Sequence, residues 1–393
     1  MNPLDDPRLD WTLLNQYEFD RDRFVQQALA AGAGRARRED VLVQEEIVPA
    51  PGVTDVDHDS DEAQAARRVG EDALRAGEVG VVVLNGGMAT RFGGVVKGTV
   101  EVFDGKSFIA LKCEDALRVR DQLGRTPPVV LMNSFATGAS TREHLEQNDA
   151  FGLPETSLWS FCQSISIRLQ PDGQLFVGRD GLPSYYAPGH GDFFRSIRAS
   201  GVLTELREQG VQQLVFSNID NLGATLDPTL VGLHRLAGWE MTLEVTERRR
   251  DATGAWEAGG APVVIDGRVR VVEGFRFPAG VQERLPDFQA NNMIFDTAAI
   301  DRDVPLEHYP VTKRVDGLPA LQFEAITCEA SGATDDAGDP LFRLGLLRVP
   351  RDGPRGRFFP IKSPEDLDQT RNLLRERLET GWKLRETDAS MGR

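Results

Sequence analysis

Cysteine is scarce in this chain. Its 393 residues include three, Cys113, Cys162 and Cys328, which lie far apart and form no CxxC pair. That spacing excludes a disulfide scaffold and a cysteine-rich zinc site, and it fits a reducing compartment. Long apolar runs are missing too: no stretch of about 18 apolar residues exists to span a bilayer. The opening Met1-Asn2-Pro3-Leu4-Asp5-Asp6 holds neither a basic nor an apolar segment, so no signal peptide is expected and a cytoplasmic location is the default. Positive charge is in deficit, with 45 Lys and Arg against 61 Asp and Glu, a net charge of −16 (45 − 61). Such a surface repels phosphate, so nucleic-acid binding is not expected. Any phosphate-bearing ligand has to meet a local basic pocket. Two phosphate-loop fingerprints, GxGxxG and GxxxxGK[ST], are absent, which disfavours a dinucleotide oxidoreductase and a P-loop enzyme.

What is present can build a large core, since 40% of residues are hydrophobic. Residues 1 to about 40 read as helix, with Asp10 as N-cap and Trp11, Leu14, Phe19, Phe24 and Ala28 at loosely helical spacing. Residues 63–77 read as a second helix. The pattern changes at Gly80, where Val81-Val82-Val83-Leu84 is wholly apolar, as a buried parallel strand requires. Val129-Val130-Leu131-Met132 and Leu214-Val215-Phe216 repeat it, with helical segments over 108–123 and 193–209 between. Strands alternating with helices predict an α/β fold, a mostly parallel sheet with helices on both faces. From Trp239 to about Phe288 the texture predicts a small antiparallel subregion. It includes Met241-Thr242-Leu243-Glu244-Val245 and a hairpin turning at Asp266-Gly267. Ser363-Pro364-Glu365-Asp366 starts a last helix, expected to run to about Lys383.

Ligands of such sheets bind beyond the carboxyl ends of the strands, so the residues after each apolar run carry the information. Leu84-Asn85-Gly86-Gly87-Met88-Ala89-Thr90-Arg91-Phe92-Gly93-Gly94 follows the first run. Its glycines let backbone N–H groups surround an anion, Arg91 offers a planar fork, and Lys97 adds a point charge. By itself the loop fits a tight bend equally well. Ser217-Asn218-Ile219-Asp220-Asn221-Leu222-Gly223 follows the third run. Asp220 there suits Mg²⁺ held against substrate phosphates, or equally a helix cap. Pro188-Gly189-His190-Gly191-Asp192 precedes a helix and exposes N–H groups to negative charge. A lone histidine there can also be structural. Gln163 has the donor and acceptor pair that reads a base edge.

In chain order these pieces resemble the UDP-glucose pyrophosphorylase family, the UTP:glucose-1-phosphate uridylyltransferases. The 84–94 loop resembles the family's LNGGLGT-type nucleotide loop, and Val96-Lys97-Gly98 its PKG element. Met132-Asn133-Ser134-Phe135, Phe161-Cys162-Gln163-Ser164 and Pro188-Gly189-His190-Gly191-Asp192 resemble its MNSF, FxQS and PPGHGD segments. The stretch from Ser217 to Ala224 resembles its metal-binding strand end. Glu273, Phe288-Gln289-Ala290-Asn291-Asn292, Gln322-Phe323-Glu324 and Phe358-Phe359-Pro360-Ile361-Lys362 match further segments. The resemblance covers about residues 80 to 380. Ala89 stands where the loop usually has a third glycine, Val96 replaces a proline, and Ala258 stands where relatives often carry lysine. The C-terminal β-helix of the eukaryotic enzymes is missing. A monomer is then the simpler expectation, with the oligomeric state open.

The resemblance implies a Rossmann-like, GT-A-like nucleotidyltransferase fold. It divides the chain into an N-terminal helical segment (1–78), a catalytic domain (79–362) and a C-terminal helix and tail (363–393). It implies that UTP and glucose 1-phosphate react to UDP-glucose and pyrophosphate with Mg²⁺ as cofactor. Galactose or N-acetylglucosamine 1-phosphate is the rival substrate, and a non-catalytic nucleotide-sugar binding protein the rival class. No enzyme nucleophile is needed. Two anions must approach, and unit charges at 4 Å repel by about 4 kcal/mol at an effective dielectric near 20, so cations have to offset several such terms. The implied roles are Lys97 and Arg91 on the pyrophosphate portion, Lys362 on the reacting phosphates, and Asp220 on the metal. Leu84, Gly86, Gly87, Gln163 and Gly189 would bind the nucleotide, and His190, Asn218, Glu273, Asn291 and Asn292 the sugar phosphate.

Overall fold

The apolar run after Gly80 forms the Val79–Leu84 strand, buried at every residue except Leu84. The Val129–Asn133 and Gln213–Asn218 strands share that pattern, because each is covered on both faces. A computed structural model describes residues 3–89, 92–250, 253–353 and 355–380. Its centre is an eight-stranded sheet in the order Thr54–Asp55, Leu344–Arg348, Met241–Glu247, Asp287–Asp296, Gln213–Asn218, Val79–Leu84, Val129–Asn133 and Leu158–Cys162. All neighbours pair in parallel except those of Asp287–Asp296, which runs against both of its partners.

Helices cover both faces, as the alternation predicts. Asp61–Ala76, Phe108–Leu123, Pro228–Leu236 and Pro364–Thr380 close one side around Leu74, Phe108, Val231 and Leu367. Phe193–Ala199, Val202–Glu208 and Thr297–Ile300 close the other. There the Phe193, Phe216 and Phe295 rings stack with centroids 5.0–5.8 Å apart. Such ring contacts add to the area they bury. Among the described residues no helix is long and apolar enough to cross a membrane.

Several expectations need correction. The first 40 residues are not one helix but two, Trp11–Gln16 and Arg21–Gly32, each with its own aspartate cap. Asp10 accepts from the Leu13 N–H and Asp20 from the Arg23 N–H, both at 2.9 Å, and Glu18 breaks the chain at a φ of 51°. Phe24 and Ala28 pack against Ile167, Leu175 and Leu321, and Thr54–Asp55 is the edge strand of the central sheet. The 193–209 segment is interrupted by Gly201 at a φ of 80°. Met241–Glu247 lies in the central sheet, because all its residues but Glu247 are buried between the two helical layers. The small antiparallel sheet consists instead of Ala261–Ile265, Arg268–Val272 and Val48–Pro49, and its hairpin turns at Asp266-Gly267 as expected, both at positive φ. The last helix runs Pro364–Thr380, with Ser363 and Asp366 capping each other. Lys383 lies outside the described residues.

The Asp61–Ala76 and Pro228–Leu236 helices cross at two glycines. A Cβ on Gly70 would sit 1.8 Å from the Pro228 carbonyl oxygen, and one on Gly232 would sit 1.7 Å from that of Ala66. The backbones touch, so a methyl group cannot be absorbed by side-chain motion. Gly232→Ala is expected to destabilise the fold by about 2–3 kcal/mol, as overpacking does. A lower urea midpoint at unchanged slope checks it.

Candidate active site

Four parallel strands end at one edge, with Asn218 level with Leu84, Leu84 with Met132, and Asn133 with Cys162. Asn85, Gln163 and the 219–224 segment therefore emerge side by side, where open α/β sheets bind ligands. The antiparallel Asp287–Asp296 strand brings Asn291 to the same edge from the other direction.

Asp220 is the centre of the charged part. Its Oδ2 accepts from Lys97 Nζ at 2.5 Å, both side chains being mostly buried. Its backbone carbonyl accepts from the Ile361 N–H at 3.0 Å, which puts the next residue, Lys362, beside it. Lys362 is exposed, and among the described residues its ammonium has no ion-pair partner. The Asn221 amide holds this junction together. Its Oδ1 accepts from the N–H groups of Gly223 (3.1 Å) and Phe359 (2.9 Å). Its Nδ2 donates to Asn292 Oδ1 and to the Arg357 carbonyl, both at 3.1 Å. Behind it lies a buried ion pair, Arg357 with Glu244, made by two bonds of 2.7 Å. Asp227 adjoins it. Burial opposes its ionisation, but the His58 hydrogen bond and the Arg357 charge outweigh that and hold its carboxyl well below the usual range.

The nucleotide side is built around close approach. A Cβ on Gly86 would fall 2.1 Å from Gln163 Nε2, whereas Gly87 faces open space. Gln163 is buried, its N–H donates to the Asn133 carbonyl at 2.9 Å, and its Oε1 has no partner. Buried Asp192 positions it, accepting from the Ser164 N–H at 2.6 Å and from the Ser196 hydroxyl at 2.5 Å. Gly189 has a φ of 91°, and a Cβ there would meet the Ala325 oxygen at 2.5 Å. Met88–Ala89 pairs with Val95–Val96, so the glycine loop continues into a hairpin, with the Lys97 N–H 3.4 Å from the Gly87 carbonyl. Arg91 lies outside the described residues.

The candidate sugar-phosphate residues form a chain of amides. Asn291, at a φ of 54°, donates from Nδ2 to Asn218 Oδ1 at 2.8 Å and leaves its own Oδ1 without a partner. Gln289 accepts from the Asn291 N–H at 3.1 Å and donates to Glu273 Oε2 at 3.2 Å. His190 lies nearby on Thr327, whose N–H donates to Nδ1 at 3.2 Å and whose hydroxyl donates to the His190 carbonyl at 2.9 Å. Burial pulls the imidazole pKa down to about 4. Asn292 is different. It turns away from this group, donating to Glu244 Oε2 at 3.1 Å and accepting from Asn221. It supports the site from behind.

Among the described residues no three His, Cys, Asp or Glu side chains gather as a metal cluster. A single carboxylate still fits Mg²⁺, which is commonly held by one or two carboxylates plus substrate phosphates. The sequence reading missed Asn221, Arg357, Glu244, Thr327 and the buried Lys112. It also passed over Asn85, which donates to Asn133 Oδ1 and Thr141 Oγ1 at 2.8 Å and ties the glycine loop to the next strand.

Comparison with known proteins places most of the chain beside one family. The UTP–glucose-1-phosphate uridylyltransferase family model matches residues 33–375. The chain is 31% identical over 316 residues to the UTP–glucose-1-phosphate uridylyltransferase of Saccharomyces cerevisiae, covering 76% of this chain and 60% of the yeast protein. It is 32% identical over 303 residues to that of Astragalus penduliflorus, covering 73% and 60%. It thus spans about three fifths of the length of these curated relatives. The crystal structure of UDP-glucose phosphorylase from Trypanosoma brucei superposes with a TM-score of 0.71 at 22% identity, covering 91% of this chain and 77% of that one, which shows the shared fold. Residues 33–375 include every candidate site residue named above, and on that match the chain belongs to the UTP–glucose-1-phosphate uridylyltransferase family.

Proposed function

We propose that this chain transfers a uridylyl group from UTP to glucose 1-phosphate, giving UDP-glucose and pyrophosphate. The observation that carries this reading is the junction at Asp220, where Lys97 binds the carboxylate and the Ile361 N–H binds the backbone carbonyl, bringing the neighbouring Lys362 to the carboxyl end of the same strand. In an acidic chain, such a local gathering of cations is what two phosphate-bearing substrates need.

An oxygen of the sugar phosphate attacks the α-phosphorus of UTP. The bond from that phosphorus to the oxygen bridging to the β-phosphate breaks, and pyrophosphate leaves with the negative charge. The residues align the two anions and stabilise the charge that spreads over the equatorial oxygens. Lys362, free of an ion pair, spans the sugar phosphate and the α-phosphate. Lys97 leaves Asp220 to hold the β- and γ-phosphates, a role that Arg91 would share. Asp220 would hold Mg²⁺, which supplies further charge neutralisation when bound. Gln163 offers its unpartnered Oε1 and its Nε2 to the uracil edge, Leu84, Gly86 and Gly87 line the approach, and Gly189 lets the backbone come close. Asn218, Asn291 and Glu273 face the sugar, and Asn292 keeps Asn221 in place.

His190 has a defined part in this reading. Its Nδ1 is engaged by the Thr327 N–H at 3.2 Å and the Thr327 hydroxyl oxygen at 2.7 Å, so Nε2 is the ring nitrogen left to meet a phosphate or hydroxyl oxygen. The folded pKa of about 4 lies below the unfolded value. The imidazole therefore stays neutral in the folded state well below pH 6, and stability is lost as the pH falls from the unfolded pKa near 6.5, the loss being complete below about 4. Long-range ¹H–¹⁵N spectra are expected to show the neutral imidazole unchanged from pH 8 to 5.5. A midpoint near 6.5 would remove the burial argument.

The activity itself is tested by pyrophosphate release from UTP and Mg²⁺ with glucose, galactose and N-acetylglucosamine 1-phosphates supplied separately. Glucose 1-phosphate is expected to give the fastest release. A faster rival would overturn the substrate assignment, and no release with any sugar would overturn the activity. Lys97→Ala, Lys362→Ala and Asp220→Ala are each expected to lower kcat at least about 100-fold, roughly 3 kcal/mol of transition-state stabilisation. Near-normal turnover in any of them removes that residue from the mechanism.

A further inference from the structure

The Phe108–Leu123 helix turns a lysine inward, toward the loop that carries Asp220. Lys112 is 5% exposed. Its Nζ donates to Ser217 Oγ at 3.2 Å, to the Asn221 carbonyl at 2.9 Å and to the Ala224 carbonyl at 2.8 Å. Three donors meet three acceptors, which is the full capacity of an ammonium. Burial pulls its pKa down to about 8, with Asp115 opposing, so the group remains charged at neutral pH. A buried charge is costly unless it is fully bonded, and this one is.

The three acceptors bracket Asp220 in the chain. Two of them are carbonyls of an irregular segment outside the strand and helix ladders; the Asn221 carbonyl also accepts from the Ala224 N–H at 3.2 Å. One turn further along the same helix, Asp115 accepts from the Leu226 N–H at 2.9 Å. The helix thus grips the loop at Ser217, Asn221, Ala224 and Leu226, on the side opposite the Asn221 amide contacts. Nothing in the uridylyl transfer itself uses Lys112, which is sealed from the open edge of the sheet.

We propose that Lys112 is the positioning residue of the Asp220 carboxylate: its ammonium shapes the 217–224 loop so that Asp220 faces the divalent cation and Lys97. This rests on the reading of Asp220 as the metal-holding aspartate. Lys112 acts through the loop and touches neither substrate nor cation. Methionine at this position would fill the same volume but withdraw a charged donor from both carbonyls and from Ser217, and the loop would have to move to make up for it.

The test measures Mn²⁺ binding to the substrate-free protein by electron paramagnetic resonance. It also measures UDP-glucose binding without metal by calorimetry, and the Mg²⁺ concentration for half-maximal pyrophosphate release. Lys112→Met is expected to weaken Mn²⁺ binding and raise the Mg²⁺ requirement by about tenfold or more, the usual size of a loss behind a metal ligand. UDP-glucose binding should change by less than about twofold, since the Gln163 pocket lies apart. Ser217→Ala removes one of the three bonds without unbalancing the buried charge, and should give a smaller shift in the same direction. Unchanged Mn²⁺ affinity in Lys112→Met overturns the proposal. If that variant does not fold, unchanged affinity in Ser217→Ala overturns it. Asp220→Asn separates the two ideas: if it binds Mn²⁺ as tightly as the wild type, Asp220 is not the metal-holding residue and the proposal falls with that reading.

Discussion

The side-chain amide of Asn221 joins three distant parts of the chain: the strand-end loop, the 357–359 strap and the Asp287–Asp296 strand. Its oxygen and nitrogen make four hydrogen bonds, two within the strand-end region and two to the 357–359 strap. Only an amide offers both senses of bond from one planar group; an aspartate would turn two donors into repelled acceptors. The consequence is chemical. The strap that ends in Lys362 is fixed against the loop that carries Asp220, so a cation and an anion from distant parts of the sequence share one site. The buried Arg357–Glu244 pair locks the strap from below, and breaking such a pair costs about 3–5 kcal/mol.

Charge is organised here by depth. The surface is acidic overall, yet the functional edge of the sheet holds lysines at two levels. Lys97 and Lys362 stand at the opening, where their ammonium groups can exchange partners. Lys112 stands beneath, with every donor committed to the protein. An exchangeable cation can follow the charge as it moves during phosphoryl transfer, whereas a committed one can only hold geometry. The acidic exterior has little influence across this distance, because salt screens exposed charges beyond about 8–10 Å.

The α/β class, the parallel core strands and the positions of most candidate residues were legible because short motifs follow apolar runs. Asp220, Gly86, Gln163 and Gly189 are local features of that kind. Other parts were not legible, for a physical reason. Met241–Glu247 looks like a half-exposed strand in sequence, because Thr242, Glu244 and Thr246 alternate with apolar residues, yet all three are buried. Glu244 is paid for by Arg357, which lies far along the chain. Lys112 and Asp115 follow Phe108 and Leu111 at helical spacing on the buried face of their helix. Two charges on an apolar stripe were the available signal for a buried network, and a periodicity argument passes over them. The break at Glu18 and the crossing glycines depend on partners that the local sequence does not contain.

The edge strand Thr54–Asp55 has one more consequence. It pairs only with Leu344–Arg348, and Arg348 reinforces the contact by binding Asp55 across 293 positions of sequence. A ribosome that has released the first strand must therefore make most of the protein before that strand finds its place. Until then the 241–247 strand also lacks its neighbour on that side. Long-range parallel pairing closes slowly, and incomplete sheets expose edges that recruit other chains. The chain is thus most vulnerable while it is still being synthesised, and its yield in a cell should depend on how long that open edge is shielded.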